Sequence, residues 1–545
     1  MMRSGLITWL TSLAINLVWV LIVFSSLDSH QLMTWFNSDT LYLPSIFRDV
    51  FVDNSGLRGW HLNGAPNFFP DMLVFFIFNG IIADFKLAML AFSVVQYMAL
   101  LLLLGFLLKT VARDISWHML AMANLLMLII FFVTAFTGDF VFTFYILSIS
   151  YHLGAFIMTV LCLLFTVNFL RSGETKYLRL LMLFGFLAML SNRLFLVMFV
   201  IPSAAVSFFF LLGGYSRKLA RFLQTVTIFS VAGIIAFFLI SKSGFIYFPA
   251  SDWKLFNFSN IQGSFNVMTG QHFRYLYLMD FRGITVLLSL VSFVMMIIVA
   301  ILLARDVFKK KEKEKQIEAF YACFSCFFFV IVLFMPVING SYVSWAMLRY
   351  NIYVLFLALF NYAFIFHYVL YGRRQAKTFV PIVATGISVM MAVYTLYHAN
   401  RADIGEGLSA MLNHYPDYVE CIDEFADSRG LQYGVAGYWY AKMTTMFSRK
   451  NVRLYTVHHD MAIWYHVSNR NWYYKNGKGA HASPEFKFVV LNSLDSAAVG
   501  ISLGEPLEVF SCEEDLKVLE FPEFEFDPVT RRTINSETAE NQAFD

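Results

Sequence analysis

The chain has 545 residues, 59% apolar and only 14% charged, with 61 phenylalanines. Several stretches run close to twenty residues without a charge, as a ~30 Å hydrocarbon core requires of a helix, so an ordinary soluble enzyme is excluded. The net charge of +3 hides a division, with 27 Lys and Arg against 15 Asp and Glu in residues 1–398, and 13 against 22 in residues 399–545.

Residues 5–27 open the chain as an apolar helix. With Arg3 ahead and no small-residue cleavage site behind, they read as a retained anchor rather than a signal peptide. Further apolar segments fall at roughly 87–108, 118–137, 153–170, 178–191, 194–212, 219–241, 283–304, 317–336, 350–371 and 378–398, giving about eleven spans. Residues 71–83 are apolar but too short to cross, and read as an interfacial or re-entrant helix. The expected fold is a polytopic α-helical membrane protein with interfacial helices and a C-terminal α/β domain.

Basic clusters at Lys109–Arg113, Arg171–Arg179, Arg217–Arg221, Arg305–Lys315 and Arg373–Lys377 mark cytoplasmic turns. Placing Arg3 inside puts all five inside and the C-terminus outside. The expected location is a bacterial inner membrane, multi-pass, with a cytoplasmic N-terminus and a periplasmic C-terminal domain. The outer face then collects 28–86, 242–282 and everything after 398. Lys309–Lys315 reads as a solvated loop near anionic headgroups.

Residues 1–398 form the membrane domain, including the outer loop 28–86, and 399–527 a soluble domain. In the latter, helix 416–429, strand 431–436, helix 438–449 and strand 451–457 suggest a β-α-β unit, with strands at 486–492 and 507–511. Residues 528–545 are polar and read as disordered. Cys162, Cys323 and Cys326 read as buried small hydrophobes, whereas Cys421 and Cys512 both fall in the C-terminal domain and can pair if that domain is periplasmic and their Cα atoms meet. The aromatics at 438–440, 464–465 and 472–474 suit sugar rings, membrane docking or a domain core alike. His458-His459-Asp460 is a poor metal site, because adjacent side chains in an extended segment point apart.

The outer loop carries Asn37-Ser38-Asp39-Thr40-Leu41-Tyr42, then Trp60-His61 and a Pro-containing run to Asp71. A first helix followed by a long outer loop with an early Asp, a D-x-x-Y setting at Asp39 and Tyr42, and a proline-containing run at Ala65–Asp71 resembles the GT-C superfamily of integral-membrane glycosyltransferases. Protein O-mannosyltransferases and lipid A aminoarabinose transferases belong to it. Arg349-Tyr350 opening a late helix and the closing soluble domain are similar to it too. The resemblance covers the whole architecture at superfamily level. It departs at Thr40, where members often carry a second acid, which points toward metal-independent use of a polyprenyl-monophosphate sugar.

That resemblance implies a GT-C-like fold and an inverting transfer from a polyprenyl-phosphate-linked sugar to a cell-surface glycan or lipid acceptor. Asp39 would be the general base, and Asp71 would orient the acceptor or the base. Arg349, Arg193, His152 and Tyr350 would meet the donor phosphate. Tyr42, Trp60 and His61 would contact acceptor or sugar. Structural readings stand beside these: Asp39 as a helix cap, Asp71 as a partner of a helix dipole, and His152 as a hydrogen-bonded interface histidine. No cofactor is expected, a divalent metal is left open, and no nucleic acid is expected as a partner. Membrane lipids are expected partners. Walker A, dinucleotide and HExxH signatures are absent. The rival classes are a transporter or flippase, which calls for mid-helix charges and pseudo-symmetry, and a membrane receptor with a ligand-binding tail.

Overall fold

The computed structural model describes residues 2–213, 217–249, 258–310, 315–370, 374–474, 484–512, 515–527 and 529–535. Among these, nine helices are long and apolar enough to cross a membrane: Arg3–Ser25, Phe85–Val111, Trp117–Thr137, Leu153–Ser172, Arg217–Lys242, Phe281–Lys309, Gln316–Ile338, Ile352–Leu370 and Phe379–Arg401. The architecture is that of a polytopic helical membrane protein. Ile352–Leu370 is the most enclosed, with 83% of its apolar window buried, which explains why nearly every side chain in it is apolar on all faces.

The count falls two short of the eleven expected. The apolar stretch at 178–191 becomes helix Thr175–Ser191, and that at 194–212 becomes Leu196–Leu212. Each has 17 residues, and at 1.5 Å per residue such a helix reaches only about 25 Å. Because the two are consecutive, counting both or neither leaves every later segment on the same side. The helix expected at 71–83 is present as Phe68–Ile82.

Helix Thr175–Ser191 lies along Arg217–Lys242 through a reciprocal small-residue contact. A Cβ on Gly185 would come within 2.8 Å of the Phe229 ring, and one on Gly233 within 2.6 Å of Met189 Cβ. With no hydrophobic drive between helices in lipid, such close approach is what dispersion forces need. Replacing Gly233 with Leu should therefore overpack the pair by about 1–3 kcal/mol. The expected readout is a lower melting temperature of the purified protein, with Gly138→Leu unsuitable as a control because of its left-handed backbone and Gly263→Ala, facing open space, a fair one.

Basic side chains knit one end of the bundle. Arg171 donates to Val111 O at 3.0 Å, and Lys218 to Leu170 O at 3.1 Å. At the other end, the segments after Ser25, before Leu153, after Ser191, after Ile338 and before Ile352 converge. No Asp, Glu, Lys, Arg or His lies in the middle of these nine helices; each sits within a turn or two of a helix end. The cluster expected at Arg373–Lys377 and most of Lys309–Lys315 lie outside the described residues and side chains.

The C-terminal region contains a six-stranded sheet. Its order is Arg453–Thr456, Tyr433–Ala436, Phe486–Leu491, Lys517–Phe526 and Glu508–Ser511, with Thr533–Asn535 pairing the end of Lys517–Phe526. The first three strands are parallel, and helix Tyr438–Phe447 crosses between two of them, the β-α-β unit read from the sequence. Strand Thr533–Asn535 falls inside the stretch read as disordered; residues 536–545 lie outside the described residues. Cys421 and Cys512 are bonded, with Cα atoms 5.7 Å apart. Cys323 is buried and Cys326 partly so.

Candidate functional site

The C-terminal region is clasped onto the loop formed by residues 28–86. Strand Trp60–His61 pairs with Ser468–Asn469. Below it, buried Asp49 accepts hydrogen bonds from Trp60 Nε1 at 2.7 Å, Asn469 Nδ2 at 2.9 Å and Trp472 Nε1 at 3.0 Å. Burial raises the Asp49 carboxyl above its usual range despite these three donors. Nearby, Arg453 pairs with Asp53 at 2.9 Å and Arg48 donates to Thr445 O at 2.7 Å. Asp49→Ala would strand three N–H donors at once, each at about 1–3 kcal/mol. The expected outcome is a C-terminal region released to protease at lower temperature, with Asp49→Asn, which keeps one acceptor oxygen, milder.

The clasp brings helix Tyr438–Phe447 onto the turn that carries Asp39. Ser38 Oγ donates to Tyr438 O at 2.7 Å, and Lys442 Nζ to Ser38 O at 3.2 Å. The turn itself is fixed from within: Asn37 Oδ1 accepts from the N–H groups of Asp39 and Thr40 at 2.9 and 3.0 Å. Thr40 is fully buried and donates its hydroxyl to Trp35 O at 2.7 Å. A carboxylate at position 40 could not make that donation.

Asp39 is held by two tyrosines from opposite sides of the fold. Tyr151 donates to Oδ2 at 3.0 Å and Tyr438 to Oδ1 at 2.5 Å. The following helix Tyr42–Phe47 has no side-chain cap, so Asp39 is not spent on capping. Burial pushes the Tyr438 hydroxyl well above its usual pKa, with the Asp39 charge adding to this, so it stays a donor. Burial also pushes the Lys442 amine down to about 7, opposed by Asp39.

Asp39 opens into a cavity of about 430 Å³ at the end of the bundle away from the basic turns. Arg349, Arg193, His152 and Tyr350 line the same cavity, with Tyr151, Asn192, Asn63 and Pro336. Arg349 forms no ion pair among the described residues; it lies over the Tyr350 ring at 5.1 Å, and its Nε is buried without a partner. Arg193 packs over Phe237 at 4.4 Å.

The tautomer of His152 follows from its neighbour. Leu194 N–H donates to Asn192 Oδ1 at 3.0 Å, which fixes the amide orientation. Asn192 Nδ2 therefore donates to Asn67 Oδ1 and to His152 Nδ1, both at 3.0 Å, and the imidazole proton sits on Nε2. Burial, reinforced by the Arg349 charge, lowers the His152 pKa to about 3. The imidazole is thus a neutral hydrogen-bond donor, not a third cation.

The remaining expected site residues lie elsewhere. Asp71 is 3% exposed and does not line the cavity. It is wedged against Gly154, where a Cβ would fall 2.0 Å from Asp71 Oδ2, so it braces the start of helix Leu153–Ser172. Tyr42 is buried and donates to Pro66 O at 3.2 Å. Trp60 is fully buried in the Asp49 clasp, and His61 is sandwiched between Tyr247 and Tyr465 at 4.6 Å each. None of these four is among the residues that line the cavity, and the strand pairing turns the side chains of Trp60 and His61 into the seam. Conversely, the sequence did not single out Tyr438, Lys442, Asn67 or Tyr151 as partners of the site.

Among the described residues, no group of three His, Cys, Asp or Glu side chains is placed to hold a metal ion, and Asp39 is the one carboxylate lining the cavity. The chain matches no known family model and no curated protein.

Proposed function

We propose that the protein is a membrane glycosyltransferase of the GT-C type. It moves a sugar from a polyprenyl-phosphate carrier to a cell-surface glycan or lipid acceptor at the outer, periplasmic face of the inner membrane. The observation that carries this reading is that Asp39 and Arg349 line one cavity while neither is neutralised by the other in a direct ion pair. A carboxylate held only by hydroxyl donors keeps lone pairs for a proton. A guanidinium with an unpartnered Nε keeps donors for a phosphate.

In this reading Asp39 takes the acceptor hydroxyl's proton as that oxygen attacks the anomeric carbon from the face opposite the phosphate. The bond from the anomeric carbon to the phosphate oxygen breaks with inversion. Arg349 and Arg193 offset the charge that develops on the leaving phosphate, and the neutral His152 donates its Nε2–H to it. Met335, Leu194 and Val197 supply apolar lining suited to the first isoprenoid units. The bonded Cys421–Cys512 pair and the basic turns at the opposite end support an outward-facing cavity and C-terminal domain.

A transporter would place charges in mid-span, where the nine described helices have none. The test is to supply membranes containing the protein with polyprenyl monophosphate bearing a radiolabelled sugar and to follow label into envelope glycans and lipids. Protein-dependent transfer is expected; label that never leaves the carrier would overturn the reading.

A further inference from the structure

The C-terminal region holds a second ring system that the transfer chemistry does not use. In the irregular segment 463–467, Tyr465 turns toward the outer loop and stacks on His61 at 4.6 Å. Its neighbours Trp464 and His466 turn the other way. The Trp464 indole lies between His458 at 4.8 Å and His466 at 5.1 Å, with interplanar angles of 23° and 15°. Tyr438 closes the row, 5.0 Å from His466 and 5.3 Å from Trp464. Its hydroxyl is the one that reaches Asp39. Beside it, Trp439 is 54% exposed.

We propose that this ladder, with Trp439 at its end, is a carbohydrate-binding platform that holds the acceptor glycan beside Asp39. Stacked rings cover one another's faces, so the ladder presents edges. Among the described residues no side-chain hydrogen bond involves the ring nitrogens of His458, Trp464 or His466. A core packed for stability satisfies such groups; a surface built for hydroxyls leaves them open. Burial lowers the His466 pKa to about 4, so at neutral pH its imidazole offers one donor and one acceptor, the pairing that vicinal sugar hydroxyls match. Trp439 supplies the exposed indole on which the C–H face of a pyranose packs. A lipid surface would instead favour cations and aliphatic side chains around the exposed ring, and imidazole edges are neither.

The platform names the acceptor class for the transferase reading and rests on it, so the test separates the two. Full-length protein in nanodiscs is offered labelled glycans released from the envelope of cells that make it. Wild type and Asp39→Asn should retain glycan equally. Trp439→Ala and His458→Ala, both exposed positions, should retain about tenfold less while melting like wild type. Equal retention by Trp439→Ala, or none by wild type, overturns the platform. Retention that needs Trp439 together with undiminished transfer by Asp39→Asn keeps the platform and removes the proposed base. Transfer that needs Asp39 with an unchanged acceptor KM in Trp439→Ala does the reverse.

Discussion

Asp39→Asn should lower sugar transfer by about 10²–10⁴-fold, the range a positioned general base contributes. The substitution is a fair one because it is isosteric. The amide keeps an oxygen for one tyrosine, and the other hydroxyl can rotate to accept from the new NH2 group, so the turn fixed by Asn37 and Thr40 is left intact. Expression and melting should match wild type. If the chemistry rests on this carboxylate, the loss appears in kcat and in kcat/KM alike, since an amide cannot take the acceptor's proton. Tyr438→Phe removes one of the two donors on Asp39 and should fall between the two. Transfer within threefold of wild type for Asp39→Asn would remove the proposed base, leaving a cavity without assigned chemistry.

Arg349→Ala should reduce kcat/KM for the lipid-linked donor by about 10²–10³-fold, the effect of deleting one preorganised donor at a developing charge. Arg349→Lys should recover only part of it. Lysine offers a point charge where guanidinium offers a planar fork, and the Tyr350 ring that now faces the guanidinium at 5.1 Å stacks less well on an ammonium. The split between constants is informative. A rise in KM with kcat unchanged would mean that Arg349 holds the ground-state phosphate; a fall in kcat would mean that it acts as the phosphate leaves. His152→Gln, which retains an N–H donor, should cost far less than His152→Leu, because the His152 imidazole is neutral. An Arg349→Ala variant with normal donor kinetics would break the link between cavity and phosphate.

Much of the membrane part was legible because its signal is local. A span is a run of apolar residues with charges at its ends, and all nine candidate spans coincide with segments read from hydropathy. The two further segments read at 178–191 and 194–212 form helices of 17 residues, the lower end of the spanning range. Length is decided by where Asn192 and Arg193 break the chain to reach the cavity. In the C-terminal region the strands and helices of the β-α-β unit were readable from periodicity. Strand Thr533–Asn535 was not, because three residues carry no period and owe their conformation to the Phe524–Phe526 edge.

The sequence by itself determined which stretches are apolar enough to cross a membrane, the charge difference between the two parts of the chain, and that Arg193, His152 and Arg349 lie in short turns at helix ends rather than within the apolar runs. Only the tertiary structure decided which of them face one cavity. Tyr438 lies 399 residues from the Asp39 it touches, and no pattern within a window of sequence encodes a contact made by docking two folded parts. The same docking turned Trp60 and His61 into a seam, and packing within the membrane part set Asp71 against Gly154. Side-chain direction in a loop is set by what packs against it, not by its own residues.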